Sequence, residues 1–462
     1  MRWDPSETGY LSTVDPIVMS PNGRWFVSVL VYGDIIRNGV WFEIIGAETT
    51  SVAAAANVRT IHRFFSPMLG AADDLSATDL TNPGRNPLRW MNAESITLLW
   101  TDDRQVRQVV RVHVPTGRVD QLTHSSTHVE YYEWHDDKYL VYAARAAANE
   151  EESRRRLHDG FVVDVPDAYS LARYWVDEMG ALGREWDCQW YLKADGGCTR
   201  IDVNGLGRDL CGVNNSLMAA FSPDGESMLI TDTAATVPPS WDRFQTGIVG
   251  RAIRDYRVNG RKGLYARLLK QVFLFNIRTN QSRAVVDAPF ISLPRNGMLW
   301  SPSGGSFIVG PMQLLVDADS GTQSLVVGSS GDSTVRQIPI TSSWKTALTP
   351  GRSGLAEVAW TSDNELRVSD GHIAATYHRR GEAWDQVSIG AARVEPAPRA
   401  TYVKVVQTMN SPPVFVAGDA VAGTERPILD PNPQLKHVEL ARAEDFDWQD
   451  YYIGSGATGL DR

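Results

Sequence analysis

The sequence predicts an all-β fold: a seven-bladed β-propeller with helical insertions, spanning residues 1–429. Three observations carry that prediction. First, an apolar run opened by a Ser-Pro-x-Gly turn recurs. It appears at 17–30 around Ser20-Pro21-Asn22-Gly23, at 221–231 around Ser222-Pro223-Asp224-Gly225, and at 299–309 around Ser301-Pro302-Ser303-Gly304. Second, such runs are followed by a strand, a tight turn and a return strand, as at 110–122 through Pro115-Thr116-Gly117. Third, apolar and polar residues alternate with a period close to two, as in Phe273-Leu274-Phe275-Asn276-Ile277, which marks strands. A four-stranded unit cannot bury both of its faces alone, and radial repetition supplies the missing cover.

Taken in order, blade one pairs 17–30 with 40–52, and blade two pairs 88–100 with 109–122. Blade three opens at 131–143 and closes at 190–201; blade four opens at 218–231 and closes at 272–286. Blade five joins 298–309 to 312–325, blade six joins 357–368 to 373–387, and blade seven joins 402–407 to 413–429. Trp25, Trp90, Trp134, Trp300 and Trp360 stand at strand openings, where a large flat side chain packs between blades or offers a stacking platform.

Three insertions break the repeat: 53–87, 144–189 and 233–270. The first is rich in Ala, Pro and Gly and reads as a surface excursion. The second contains a helix over 146–157 in which Glu150, Glu151 and Glu152 each precede an arginine (Arg154, Arg155, Arg156) by four residues. That orientation stabilises a helix by about 0.2–0.5 kcal/mol per pair. The segment is either a solvated arm or a charged element over a central channel. The third insertion carries Arg243, Arg251, Arg254, Arg257, Arg261, Lys262, Arg267 and Lys270 against Asp242 and Asp255. Its apolar residues suggest two short amphipathic helices around Asn259-Gly260. It is either a charged surface or a patch that steers an acidic peptide or grips another domain.

At 462 residues the chain exceeds one ordinary core, but a repeat architecture reaches this size. It is 43% hydrophobic and 22% charged, and no apolar run approaches the roughly 20 residues of a bilayer span. Met1-Arg2-Trp3-Asp4-Pro5 lacks the layout of a secretory signal, so the expected compartment is the cytoplasm, or the periplasm if an upstream segment precedes it. A net charge of −10 argues against a nucleic-acid partner, and no membrane partner is expected. Cys188, Cys198 and Cys211 fit neither a zinc site nor a disulfide framework; they read as idle thiols or as one Cys188–Cys198 bridge.

Catalytic motifs are missing. The chain has no Gly-x-Ser-x-Gly, no His-Glu-x-x-His and no phosphate-binding glycine loop. Nine histidines are scattered, and no carboxylate or cysteine at ligand spacing joins His124 and His128, so neither metal nor cofactor is expected.

The Ser-Pro-Asp-Gly openings, the Thr-Gly hairpins and the run Arg155-Arg156-Leu157-His158-Asp159-Gly160-Phe161-Val162-Val163-Asp164 resemble the N-terminal propeller of prolyl-oligopeptidase-family serine peptidases. TolB-like propellers share the turn motifs. Two later stretches resemble that family's linker into an α/β-hydrolase domain: Arg426-Pro427-Ile428-Leu429-Asp430-Pro431-Asn432-Pro433-Gln434-Leu435 and Glu444-Asp445-Phe446-Asp447-Trp448-Gln449-Asp450. The linker and the helical insertion most resemble lasso peptide isopeptidases, which cut the isopeptide bond closing the ring of a threaded peptide.

The resemblance implies a triad located beyond the linker, so no catalytic residue maps onto this sequence. Residues 430–462 then read as a truncated linker toward a hydrolase domain that is missing or separately encoded. The implied function is the non-catalytic, substrate-gating half of a serine peptidase, inactive alone, with a peptide substrate and that hydrolase domain as partners. The expected contacts are Glu150, Glu151, Arg154, Arg155, Arg251, Arg254 and Arg257. The alternative is a free-standing TolB- or WD-like propeller that binds other proteins.

Overall fold

The computed structural model describes residues 13–14, 17–67, 88–102, 104, 106–146, 186–205, 209–211, 217–260, 265–290, 293, 297–317, 324–332, 334–338, 357–369, 373–381, 383–391, 401–408 and 411–437. They form seven antiparallel sheets in sequence order, distributed over two compact units.

The first unit joins Met1–Pro67 to Pro398–Arg462. Sheet one contains β1 (Thr13–Val14), β2 (Val18–Met19), β3 (Trp25–Asp34), β4 (Gly39–Glu48) and β5 (Arg59–Pro67). A single turn of helix, α1 (Val52–Ala55), precedes β5 and is capped by the Ser51 hydroxyl. Residues 59–67 are therefore the outer strand of the sheet, not part of a surface excursion beginning at 53. Ile61 and Phe64 point into the core, a pattern that the alanine-rich lead-in at 53–56 obscures.

The second unit, Met68–Ala397, holds sheets two to six. Sheet two is β6 (Arg89–Trp90), β7 (Ser95–Thr101), β8 (Arg107–His113) and β9 (Arg118–Gln121). Sheet three is β10 (Val129–His135), β11 (Tyr139–Arg145), β12 (Trp186–Ala194), β13 (Gly197–Ile201) and β14 (Asp209–Cys211), the last also pairing with β12. Sheet four is β15 (Ala219–Phe221), β16 (Ser227–Thr233), β17 (Lys270–Asn276) and β18 (Gln281–Ala284).

Sheet five is β19 (Met298–Trp300), β20 (Ser306–Met312), β21 (Ser324–Ser329) and β22 (Val335–Ile338). Its closing hairpin lies later than the 312–325 expected. Gly310 adopts φ 130 and shifts the register, so that Met312 stays in β20 and pairs with Ser324. Sheet six is β23 (Glu357–Ser362), β24 (Glu365–Ser369), β25 (Ile373–Arg380) and β26 (Ala383–Ala391). Sheet seven, in the first unit, is β27 (Thr401–Thr408), β28 (Ser411–Asp419) and β29 (Thr424–Leu429).

The cores lie between sheets. Leu140, Tyr142 and Ala144 of β11 pack with Leu99 and Val109 of sheet two, whereas Val141 and Ala143 pack with Met228, Ile230 and Phe273 of sheet four. In β20, Phe307 and Val309 face sheet four while Ile308 faces sheet six. A strand's two faces thus serve two cores, which explains runs that are apolar at every position. The first unit follows the same rule, with Phe26, Leu30 and Ile45 of sheet one packing on Phe415 of sheet seven.

The repeated tetrapeptide is one turn built three times. Ser20, Ser222 and Ser301 each accept, at Oγ, the backbone N–H five residues on (Trp25, Ser227, Ser306). Gly23, Gly225 and Gly304 close the turns at φ 69, 69 and 76. In sheets three to six the first turns adjoin. The His135 and Phe221 rings meet at a tilt with centroids 5.8 Å apart, Pro223 lies against Gly304, and the Asp363 carboxylate accepts the Ser303 N–H at 2.9 Å. Because the strands alternate in direction, the connections between second and third strands leave from the other end of these sheets. Those connections carry residues 146–185, 234–269 and 313–323.

Two of the tryptophans at strand openings, Trp134 and Trp300, join sheets. Trp300 Nε1 donates to the Ala220 carbonyl of the preceding sheet at 2.8 Å, and the Arg89 guanidinium of sheet two sits 4.2 Å above the Trp134 ring of sheet three. Cys188 is buried and disulfide-bonded, and Cys198 carries a free, exposed thiol, so the Cys188–Cys198 bridge does not form. Cys198 lies across from Lys193 near the far end of the β12–β13 hairpin, while Cys188 pairs with β14.

Candidate functional site

The basic insertion leaves sheet four at Thr233 and returns at Lys270. Its base is closed by backbone bonds: Ala234 N–H to Leu269, and a reciprocal pair between Lys270 and Phe290 (2.8 and 3.0 Å). A 3-10 turn, Pro239–Arg243, buries Trp241, whose Nε1 donates to Asp287 at 2.8 Å. Trp241 and Phe244 form the floor for a helix, α2 (Gly247–Asn259).

Thr246, in an extended conformation, starts α2, and Gly260, at φ 59, ends it. The sequence suggested two helices around Asn259-Gly260. Among the described residues one 13-residue α-helix precedes Gly260, and a three-residue 3-10 turn, Ala266–Leu268, follows. The helix presses Gly250, Ala252 and Ile253 inward. Any side chain at Gly250 meets the Phe244 carbonyl, which lies 2.6 Å from where a Cβ would be.

The arginines of α2 divide into two kinds. Arg257 is fully engaged: Nε donates to Asp242 (2.9 Å), and its two Nη atoms donate to the Val237 and Pro238 carbonyls (2.8 Å each). It fastens the helix to the strand exit. Asp255 fastens the other side by accepting the N–H groups of Tyr265 (2.7 Å) and Ala266 (3.1 Å). Arg251 and Arg254 are exposed. Arg251 lies 5.1 Å from the Tyr265 ring centroid, with a 3.4 Å contact to its hydroxyl, and Arg254 donates to the Gln245 carbonyl at 2.8 Å. Among the described residues neither faces a carboxylate.

The sequence reading missed a second charged group at the same end of the unit. Glu130 sits between Arg107 (2.8 Å) and Arg145, and the side chains of Arg107 and Glu130 are only 7% and 8% exposed. The Arg107 N–H also reaches His128 Nδ1 at 3.2 Å. Burial pushes the Glu130 carboxyl up, but Arg107 and Arg145 outweigh it and hold it below the ordinary 4.5. Three residues from three strands carry no spacing signal, so no motif search finds them. This network stands where the 144–189 insertion leaves β11. Glu150, Glu151, Arg154 and Arg155 lie outside the described residues, as do residues 155–164 and 438–462.

Chemically, the assembled groups bind. Guanidinium groups accept no proton at ordinary pH and donate several hydrogen bonds to carboxylates in a fixed geometry.

No family model and no curated protein matches the chain. Among solved structures it is similar to an acylaminoacyl peptidase of Pyrococcus horikoshii, at 11% identity and a TM-score of 0.42, covering 96% of this chain and 56% of that one. It is also similar to the AtxE2 isopeptidase, at 13% identity and a TM-score of 0.35, covering 94% and 55%. TolB from Acinetobacter baumannii matches at 12% identity and a TM-score of 0.30, covering 87% and 79%. The chain spans little more than half the length of these peptidases.

Proposed function

We propose that this chain is the substrate-selecting β-propeller of a prolyl-oligopeptidase-family serine peptidase, of the lasso peptide isopeptidase kind, acting with an α/β-hydrolase domain that carries the serine. The supporting observation is the sharing of cores. Sheets two to six share a core with each successive neighbour, and the first and last sheets share one of their own; such face-to-face stacking of sheets in chain order is what a propeller reading calls for. The resemblance of residues 426–435 and 444–450 to the hydrolase linker supplies the peptidase part of the reading. In this reading the ring excludes bulky chains and presents a peptide, while the chemistry (nucleophile, base and oxyanion donors together) belongs to the hydrolase.

The buried disulfide at Cys188 supports the periplasmic alternative, because cytosolic reductants keep thiols reduced. The test is reconstitution: the purified chain is mixed with a hydrolase domain of the family and a lasso peptide, and linear product is followed by mass spectrometry. Cleavage that needs both components supports the reading. A chain that neither binds the peptide nor alters cleavage refutes it, and capture of one discrete non-substrate protein instead identifies a free-standing binding module.

A further inference from the structure

The outward face of α2 bears Ile248, Arg251, Arg254 and Val258, spaced three, six and ten residues from the first, which brings them onto one stripe of the helix. Val258 is 82% exposed and Ile248 43%, although the opposite face of the helix is built into the core. The two guanidiniums on this stripe have no carboxylate partner among the described residues. The chain has ten more acidic than basic side chains, and Arg24, Arg89, Arg104, Arg111 and Arg118 each face a carboxylate. The stripe is also rigidly held, since Arg257 and Asp255 use their own polar groups to fix the helix from both flanks.

We infer that this stripe is a docking surface for a peptide segment carrying two carboxylates beside aliphatic side chains. The carboxylates are taken by Arg251 and Arg254, and the aliphatic groups are laid against Ile248 and Val258. Charge complementarity argues for this occupant: Arg251, resting on Tyr265, and Arg254, using one Nη on the Gln245 carbonyl, face no carboxylate among the described residues and keep donors for charge-assisted bonds to those of a peptide. The exposed valine and isoleucine on either side provide the apolar contact that a purely ionic patch lacks. The inference deepens the proposed peptide-selecting role by naming the chemistry of the peptide, and it separates Arg257, which fastens the helix, from Arg251 and Arg254, which receive the ligand.

The test uses the full chain and a short fluorescein-labelled peptide with two glutamates among leucines, its glutamine counterpart serving as control, followed by anisotropy at two salt concentrations. Arg251→Glu with Arg254→Glu is expected to weaken binding of the acidic peptide by about tenfold to hundredfold and to remove its salt dependence. Val258→Ser is expected to weaken it severalfold without changing the salt dependence. Unchanged thermal melts establish that the variants are folded. The inference is overturned if wild type binds the two peptides equally, if it binds neither, or if the double variant binds as wild type does. Loss of binding in the double variant without any hydrolase-dependent cleavage by wild type leaves the surface standing and removes the peptidase reading. Cleavage that survives in a double variant that no longer binds the acidic peptide keeps the peptidase reading and overturns the role of this surface in selecting its substrate.

Discussion

Replacing Glu130 by alanine should be among the most damaging single changes on this chain. Its carboxylate lies between the guanidiniums of Arg107 and Arg145, and both Arg107 and Glu130 are almost wholly buried. Removing one member of a buried ion pair leaves the partner charge desolvated and costs about 3–5 kcal/mol. Glu130→Gln keeps an acceptor oxygen but removes the charge, and should cost about 1.5–3 kcal/mol. Glu48→Ala is the internal control. It breaks the exposed Arg24–Glu48 pair and should cost about 0–1 kcal/mol. Urea unfolding followed by tryptophan fluorescence reads all three.

The pH dependence follows from the direction of the shift. The folded-state value of Glu130 lies below the ordinary 4.5, so its contribution is fully present above 4.5 and is lost as pH falls from there through the folded value. The gap between wild type and Glu130→Gln therefore narrows below pH 4.5. A Glu130→Ala variant no less stable than Glu48→Ala would refute the account of a buried network.

The other predictions concern separate parts of the molecule. Gly250→Val drives a side chain against the Phe244 carbonyl and should destabilise α2 by about 1–3 kcal/mol, seen as faster hydrogen exchange over 247–259 with the sheets unaffected. Arg257→Ala removes three charge-assisted bonds and should loosen the same helix, whereas Arg254→Ala, which removes one exposed bond to the Gln245 carbonyl, should loosen it much less. Maleimide should label Cys198 in the native protein and Cys188 only after unfolding and reduction, with peptide mapping identifying the partner; labelling of Cys188 without reductant would disprove the disulfide. Gly418→Val should disrupt sheet seven, because the Tyr402 ring lies across the glycine to reach Glu425, and melting would be expected at lower temperature.

The strands were legible because two signals coincide in them. The Ser-Pro-x-Gly turns mark where first strands end, and runs such as 228–230 and 272–275 read as strands buried on both faces. What escaped the reading depends on geometry that sequence does not display. β5 is hidden behind alanines that form α1, and the closing hairpin of sheet five starts only at Ser324, after a connection that carries a 3-10 turn at Leu315–Asp317. The basic insertion was visible as a cluster of arginines, but nothing in their spacing separates Arg257, bound to two carbonyls and a carboxylate, from Arg251 and Arg254. Glu130 and its arginines come from strands distant in sequence, and only pairing of the strands unites them.

The placement of the long connections has a consequence for how such a chain can diversify. Between β24 and β25 the second-to-third connection is residues 370–372, whereas between β16 and β17 it is 234–269. Treated as flexible closures, a twelvefold difference in length amounts to about 2 kcal/mol, since the cost grows only with the logarithm of length. Extra chain at that rim is therefore cheap. The opposite rim has no such latitude, because a serine, a glycine with positive φ and a neighbouring turn interlock within a few residues. Drift in sequence and length should collect on one side of the sheets while the other stays fixed, so that new specificities arise without disturbing the frame that carries them.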